Sequence, residues 1–160
     1  MQLRAQGVEA MDYYLLAFVL GLARHCYTDF RYYLLYDSTN AFLVAVGLGR
    51  ALYLGVLEEA FQGALALGLV MLVIYFASMG GMGEGDVKLA AVLGLWLGVG
   101  QGLVCLLLAF VSGALCGAFW LLFHGKHKQQ IPFGPYLALS ALISYCYGKD
   151  LLAWYQQFYF

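Results

Sequence analysis

The sequence predicts an all-α protein, a polytopic membrane helical bundle of about six transmembrane helices. Three observations lead to this fold class. Of the 160 residues, 64% are hydrophobic and 11% are charged, with a mean hydropathy of +0.80, whereas soluble domains carry about 25% charged residues. Apolar runs of roughly 20 residues, the length that crosses a bilayer, recur along the chain. The charged residues lie mainly between these runs.

Six spans are predicted, at about residues 12–28, 38–57, 61–79, 86–99, 101–123 and 133–148. The fourth is short, and the sixth is entered through the segment IPFGPY. Residues 150–160, DLLAWYQQFYF, are predicted to form an interfacial tail, because tyrosine and tryptophan favour the level of the lipid headgroups. Residues 1–160 are therefore expected to form a single membrane-embedded domain in contact with the lipid bilayer.

The basic residues predict the orientation of the chain. Alternate loops share one side of the membrane, and that side collects five of them: Arg24, Arg31, Lys88, Lys126 and Lys128. The other side holds Arg4 and Lys149. Since cytoplasmic loops are enriched in lysine and arginine, the first side is predicted to face the cytoplasm, with both termini outside. The net charge of −1 gives no electrostatic basis for binding nucleic acid.

Two acidic residues lie at the predicted cytoplasmic boundary, where Asp29 closes span one and Asp86 opens span four. An ionised carboxylate in or near hydrocarbon is costly, so such acids indicate function. Two carboxyl groups brought together share a proton. One can then activate water while the other polarises a peptide carbonyl. The alternative is that both acids are water-exposed loop residues.

The segment that precedes Asp86 is rich in glycine, at Gly80, Gly81, Gly83 and Gly85. Glycine permits a positive φ and a close approach between chains. At membrane depth, irregular backbone survives only where it is buried in protein or lines a wet cavity. This segment therefore predicts a water-accessible site that a substrate backbone can enter, with a flexible loop as the alternative.

No metal site and no cofactor are predicted. The four cysteines form no CxxC pair, and the three histidines have no ligand spacing. Each histidine, including His25, is predicted to be an interface or solvated residue. Arg50 lies inside span two and is predicted either to pair with an acid or to reach the interface.

Three segments resemble the type IV prepilin peptidases, the bacterial aspartic leader peptidases of the membrane. The segment GMGEGDVKLAAVLGLWLG is similar to the GxGD segment of that family, TDFRYYLLYDSTNAFL to its first-aspartate region, and IPFGPYLALSALIS to its late IPFGP segment. The three occur in the family's order and cover about residues 16–148.

The resemblance implies roles for individual residues. Asp29 and Asp86 would form the catalytic dyad. The active-site loop would comprise Gly83, Glu84, Gly85 and Lys88, with Lys88 either tuning the dyad or serving as an interfacial anchor. Supporting residues would be Asp37, Pro132, Gly134 and Pro135. Ile131 also belongs to the late segment, for which a shaping role is expected because two prolines around a glycine fix the entry of the chain into a helix.

Two departures from the family pattern bear on these expectations. The family's proline after the first aspartate is Tyr36 here, followed directly by Asp37, a pair that resembles the Tyr-Asp of presenilin-like proteases. Asp37 is thus an alternative first aspartate, with Asp29 preferred because it ends an apolar run. The cytoplasmic domain with two CxxC pairs, which the family links to N-methylation, has no counterpart among these residues, so cleavage alone is expected.

The function implied by the resemblance is an intramembrane aspartic endopeptidase, with residues 1–160 as its peptidase domain. It would remove the short leader of prepilin or pseudopilin substrates at the cytoplasmic face of the bacterial cytoplasmic (inner) membrane, as a multi-pass protein without a cofactor. Two alternatives stay open: a presenilin-like protease, and a non-catalytic transporter or assembly scaffold. A transporter would need more polar residues deep in its spans than this chain provides apart from Arg50.

Overall fold

The computed structural model describes residues 2–79, 81–124 and 132–157, with side chains from residue 13 onward except that of His124. Of the residues singled out above, Gly80, Lys126, Lys128 and Ile131 lie outside the described residues. The described residues form five helices: α1 (Gln2–Tyr32), α2 (Asp37–Leu54), α3 (Leu57–Ala77), α4 (Glu84–His124) and α5 (Gly134–Gln156). The all-α fold class is confirmed.

The helix boundaries follow from local sequence. Helix α2 ends at Gly55, which adopts the left-handed conformation with φ of 70° and donates its N–H to the last turn, a common way to end a helix. Helix α5 begins at Gly134, with Pro135 in its first turn, where the missing N–H of proline costs nothing. Helices α2 and α3 are joined by only two residues, Gly55 and Val56.

Helix α4 reverses its direction at Gly98. This residue has φ of 71° and ψ of −178°, which is not helical and which glycine adopts readily. Asp86 and Gly113 line the same cavity, although a straight helix would hold them about 40 Å apart. Residues 84–97 and 99–124 therefore form two antiparallel arms, and these correspond to predicted spans four and five.

The number of six transmembrane spans is not confirmed. Two helical stretches, Leu57–Ala77 and Glu84–Phe123, are long and apolar enough to cross a membrane. The other predicted spans coincide with α1, α2 and α5, which are longer or more polar than the apolar runs within them. The predicted tail from residue 150 is continuous with α5 as far as Gln156.

Small residues allow the closest packing in the bundle. A Cβ atom built on Gly63 of α3 would overlap the carbonyl oxygen of Gly94 of α4, and one built on Gly94 would overlap that of Gly63. Close backbone contact of this kind drives helix association in membranes, where burial of apolar surface supplies little. It holds the first arm of α4, and with it Asp86, in a fixed position against α3.

Polar side chains join the remaining helices. Ser144 of α5 donates its hydroxyl to the carbonyl oxygen of Gln101 at 2.6 Å, and the amide of Gln101 donates to the carbonyl oxygen of Ser144 at 3.1 Å. Trp96 donates its indole N–H to the carbonyl oxygen of Leu43 at 2.9 Å. Such bonds satisfy polar groups inside an apolar bundle and fix how the helices are rotated.

Arg50 forms no ion pair with an acid among the described side chains. Its guanidinium donates to the carbonyl oxygen of Trp96 at 3.2 Å and lies over the rings of Trp96 and Tyr145, 5.7 and 5.5 Å from their centres. Cation–π contacts and a carbonyl acceptor thus replace the acidic partner that the sequence suggested.

Candidate functional site

Asp29 lies in the last turn of α1 and is buried, with 6% of its surface exposed. Its Oδ2 accepts a hydrogen bond of 2.8 Å from the backbone N–H of Gly134, the first residue of α5. A side chain from one helix therefore caps the beginning of another. The partial positive charge at a helix N-terminus favours a carboxylate at this place.

Burial raises the pKa of Asp29 above its ordinary value, while the hydrogen bond from Gly134 acts in the opposite direction. The carboxyl group follows the predicted first span, at the end of the bundle where the chain leaves the helices. Its surroundings therefore favour a group that can exchange a proton at a higher pH than an exposed aspartate.

Asp86 lies in the first turn of α4 and is 7% exposed. Its Oδ1 is buried and has no hydrogen-bond partner among the described residues. Its carboxyl group is close enough to that of Asp29 to experience electrostatic repulsion from it. Two buried carboxyl groups in this relation cannot both ionise at low cost, so they favour a shared proton.

Both carboxyl groups line one cavity of about 500 Å³, which we call the acidic cavity. Its walls come from the end of α1, the segment before α4, the second arm of α4 and the beginning of α5. The lining residues are Asp29, Tyr33, Gly81, Met82, Gly83, Asp86, Phe110, Gly113, Ala114, Pro132 and Phe133. The cavity is large enough to admit an extended peptide segment beside the two acids.

The glycines before Asp86 are explained by close packing and not by a left-handed backbone conformation. Gly81, Gly83 and Gly85 do not adopt positive φ values, so the expectation of a left-handed backbone is wrong for these three. A Cβ atom on Gly85 would lie 2.9 Å from Cβ of Leu35, and one on Gly83 would lie 3.4 Å from Oδ2 of Asp86. Glycine is needed at Gly85 because two chain segments meet there.

The charged residues of the predicted loop point away from the acidic cavity. Lys88 forms an ion pair with Asp37, with Nζ at 2.9 and 3.0 Å from the two carboxylate oxygens. Glu84 is exposed and accepts a 3.5 Å hydrogen bond from the hydroxyl of Tyr75. None of the three lines the cavity, and Asp37 is directed to Lys88 and not to Asp86.

The late segment lies directly against the first aspartate. Pro132 and Phe133 line the cavity, and Gly134 donates its N–H to Asp29. A Cβ atom on Gly134 would lie only 2.7 Å from Oδ2 of Asp29. The late segment, for which a shaping role was expected, therefore contacts the carboxylate of Asp29 directly. The signal was in the sequence, as a glycine directly before a helix-starting proline.

Tyr33 lines the cavity without having been predicted from the sequence. It follows α1 with φ of 53°, a left-handed conformation that is unfavourable for a residue with a side chain, and its N–H donates to the carbonyl oxygen of Asp29 at 2.9 Å. Such strain is found where the surrounding structure fixes the backbone, often at functional sites. A tyrosine gives no sequence signal for this conformation.

The environment of His25 contradicts the prediction of an interface or solvated residue. It is fully buried, one turn before Asp29 on α1. The side chain of Asn40, 6% exposed, is the polar neighbour of this ring. Periodicity along α1 could have indicated a buried histidine, because positions 18, 22, 25 and 29 share one face.

The fold and the acidic cavity together define the class of protein. It is an apolar helical bundle with two buried carboxyl groups that face one cavity near the helix ends. The family model described as the type IV leader peptidase family matches residues 14–118. That range contains both Asp29 and Asp86. The chain belongs to the type IV leader peptidase family.

Among its relatives are proteins named prepilin leader peptidase/N-methyltransferase. The one from Aeromonas hydrophila is 40% identical over 105 residues, which are 62% of this chain and 36% of the relative. The one from Bacillus subtilis is 37% identical over 94 residues, 58% of this chain and 38% of the relative. The chain therefore spans about a third of the length of these relatives. No solved structure matches the chain.

Proposed function

We propose that this chain is an intramembrane aspartic endopeptidase that removes the leader peptide of prepilin or pseudopilin substrates. The observation that carries the proposal is the placement of Asp29 and Asp86, buried and mutually repelling, on one cavity. Membership of the leader peptidase family adds to it. The relatives' printed names point to prepilins as substrates.

The hydrogen bonds suggest how the pair divides the work. Each carboxyl group has a backbone N–H beside it, that of Gly134 at 2.8 Å from Asp29 and that of Gly83 near Asp86. Of the two, only Asp86 has an oxygen, Oδ1, that is buried without a donor among the described residues, which favours its protonated form. Asp29 would therefore take a proton from water as general base, and Asp86 would give its proton to the peptide carbonyl. The water oxygen bonds to the carbonyl carbon. The C–N bond then breaks as Asp29 gives the proton taken from water to the leaving amine, and the hydroxyl formed from the carbonyl oxygen returns its proton to Asp86.

The cytoplasmic face of the bacterial cytoplasmic membrane is the proposed place of cleavage. Arg24, Arg31 and Lys88 lie at the same end of the bundle as the acidic cavity, which agrees with the positive-inside rule. A prepilin leader that stays in the cytoplasm would bring its cleavage site to this end. The apolar segment of the substrate would lie in the membrane beside the bundle.

The test is incubation of the purified chain with a prepilin in detergent, followed by mass spectrometry of the products. We expect one cut at the leader boundary and no cut in an unrelated single-span peptide of equal length. Cleavage of both peptides at several positions would favour a presenilin-like protease. Absence of any cut, with a folded protein, would favour the non-catalytic alternative.

We further propose that residues 1–160 cleave without methylating. Methyl transfer requires a pocket for a methyl donor, and no CxxC pair is present among these residues. With S-adenosylmethionine added, the cleaved product should carry a free amino terminus. A stoichiometric methyl group on the product would contradict this part of the proposal.

A further inference from the structure

Tyr33 lies at the rim of the acidic cavity, directly after the end of α1. It is 48% exposed, whereas Asp29 and Asp86, which line the same cavity, are 6% and 7% exposed. A peptide segment that reaches the two acids from the aqueous side therefore passes beside the side chain of Tyr33. We propose that the ring of Tyr33 contacts the substrate segment bound in this cavity, an inference that rests on the endopeptidase function proposed above.

The backbone conformation of Tyr33 is unfavourable for a tyrosine. Its φ of 53° lies in the left-handed region, where Cβ comes too close to the following carbonyl oxygen. Glycine and asparagine are the usual residues where a helix ends in this way, and Gly55 has this conformation at the end of α2. A tyrosine after α1 therefore introduces backbone strain that glycine would avoid, which indicates that its side chain serves a purpose other than stability.

The segments on either side of Tyr33 hold this conformation in place. The N–H of Tyr33 donates to the carbonyl oxygen of Asp29 at 2.9 Å. Two residues further on, Leu35 packs against the beginning of α4, where a Cβ atom on Gly85 would lie 2.9 Å from Cβ of Leu35. The backbone that carries the ring of Tyr33 is thus fixed relative to both the turn with Asp29 and the turn with Asp86.

The ring of Tyr33 is better suited to this contact than its hydroxyl. In the part of the chain that the structure describes, neither Asp29 nor Asp86 accepts a hydrogen bond from that hydroxyl, so the pair does not depend on it. An aromatic ring offers a large and rigid contact surface at a small loss of conformational entropy, and Phe110 and Phe133 add two more rings to the lining of the cavity. Loss of the ring should therefore weaken substrate binding and leave the chemical step largely intact.

Met79 provides a matched control. Apart from glycine, Tyr33 and Met79 are the described residues with a positive φ, and that of Met79 is 48°. Met79 is 96% exposed and does not line the acidic cavity. Replacement by glycine therefore relieves a similar backbone conformation at both positions, but it removes a cavity-lining side chain only at Tyr33.

The test is the rate of prepilin cleavage by the purified full chain in detergent, measured over a range of substrate concentrations. We expect Tyr33→Gly to raise KM about tenfold while kcat changes by no more than about threefold, because a contact with the bound substrate is lost. Tyr33→Phe, which keeps the ring, and Met79→Gly should both stay within about twofold of the wild type. The melting temperature of Tyr33→Gly should not fall, since glycine accepts this φ without strain. A lower melting temperature together with weaker activity would assign Tyr33 a structural role and overturn the proposal.

A second measurement separates this inference from the proposed function. A prepilin peptide whose scissile bond is reduced to a methyleneamine linkage cannot be cleaved, so its Kd, read by fluorescence anisotropy, reports binding without chemistry. We expect Kd to be about tenfold higher in Tyr33→Gly and to stay within about twofold in Tyr33→Phe. A wild type that binds this peptide but cuts no prepilin would contradict the proposed function, and the Kd values would still decide the role of Tyr33. Unchanged KM and Kd in Tyr33→Gly, an equal rise in Tyr33→Phe or Met79→Gly, or no binding by the wild type would each overturn the inference.

Discussion

Two pairs of charged residues occupy the same end of the bundle, and they differ in burial. Asp29 and Asp86 are 6% and 7% exposed and face a common cavity. Asp37 and Lys88 form an ion pair with side chains 73% and 52% exposed. An exposed pair of opposite charges attracts only weakly in water, whereas two like acids removed from water compete for one proton. Burial, more than the presence of an acid in a motif, therefore marks the pair suited to proton transfer.

The largest effect is expected when either buried acid loses the ability to ionise. Asp29→Asn and Asp86→Asn should each lower prepilin cleavage by ~10³-fold or more, because a shared-proton pair needs both members. The measurement is the initial rate of leader removal in detergent. Asn keeps the shape of the side chain, so both variants should elute and unfold as folded proteins. Near-normal cleavage by either variant would refute the dyad.

A smaller effect is expected from the residue that holds Asp29 in place. Gly134→Ala would bring a methyl group to about 2.7 Å from Oδ2 of Asp29, displacing the carboxylate and lowering the cleavage rate on the order of 10²-fold. The matched control is Gly49→Ala, whose added methyl group would lie 3.9 Å from the ring of Tyr14. That variant should keep its rate and gain stability, because alanine favours a helix. Equal rates in both variants would contradict the positioning role.

The pH dependence of stability tests the burial of Asp29. Because its folded-state pKa is raised by burial, the folded protein binds this proton more tightly than the unfolded chain. The wild type therefore loses stability as pH rises from about 4, the unfolded value, to the folded pKa, and keeps that loss above it. Asp29→Asn has no charge to bury, so its melting temperature relative to wild type should rise over this window. A difference that is constant with pH would mean that the carboxyl group is well solvated.

The smallest effect is expected at the exposed pair. Asp37→Ala and Lys88→Ala should each change the melting temperature little, since an exposed ion pair contributes little to stability and is screened by salt. Cleavage should fall only a few-fold in either variant. The measurement is the rate together with the melting temperature at low and high salt. Complete loss in Asp37→Ala with an active Asp29→Ala would reverse the assignment of the first aspartate.

The sequence predicted the helical class well because apolar runs are visible directly in hydropathy. It placed helix ends less well, because α1 and α5 continue beyond the apolar residues that define spans one and six. Hydropathy measures preference for hydrocarbon, whereas a helix continues as long as its backbone bonds are made. The separation of spans four and five was predicted near residue 100, and the structure turns at Gly98.

Within the candidate site, the sequence motifs indicated the two acids, whereas the partners and the burial of the other side chains depend on how the helices pack. Asp29 and Asp86 were found from their places at the ends of apolar runs. The partner of Lys88 could not be found in this way, because Asp37 lies on another helix and only the packing of α2 near α4 brings them together. His25 was misjudged because histidine is polar on average, whereas its place on the inner face of α1 determines its burial.

The reversal at Gly98 makes the first arm of α4 a spacer of fixed length. Asp86 is rigidly connected to that turn by continuous helix. One residue inserted between them would rotate the carboxyl group by about 100° around the helix axis and shift it by about 1.5 Å. An insertion in the turn before Glu84 would change neither angle nor height. The number of residues between Asp86 and Gly98 is therefore as much a part of the candidate site as the side chains that line it.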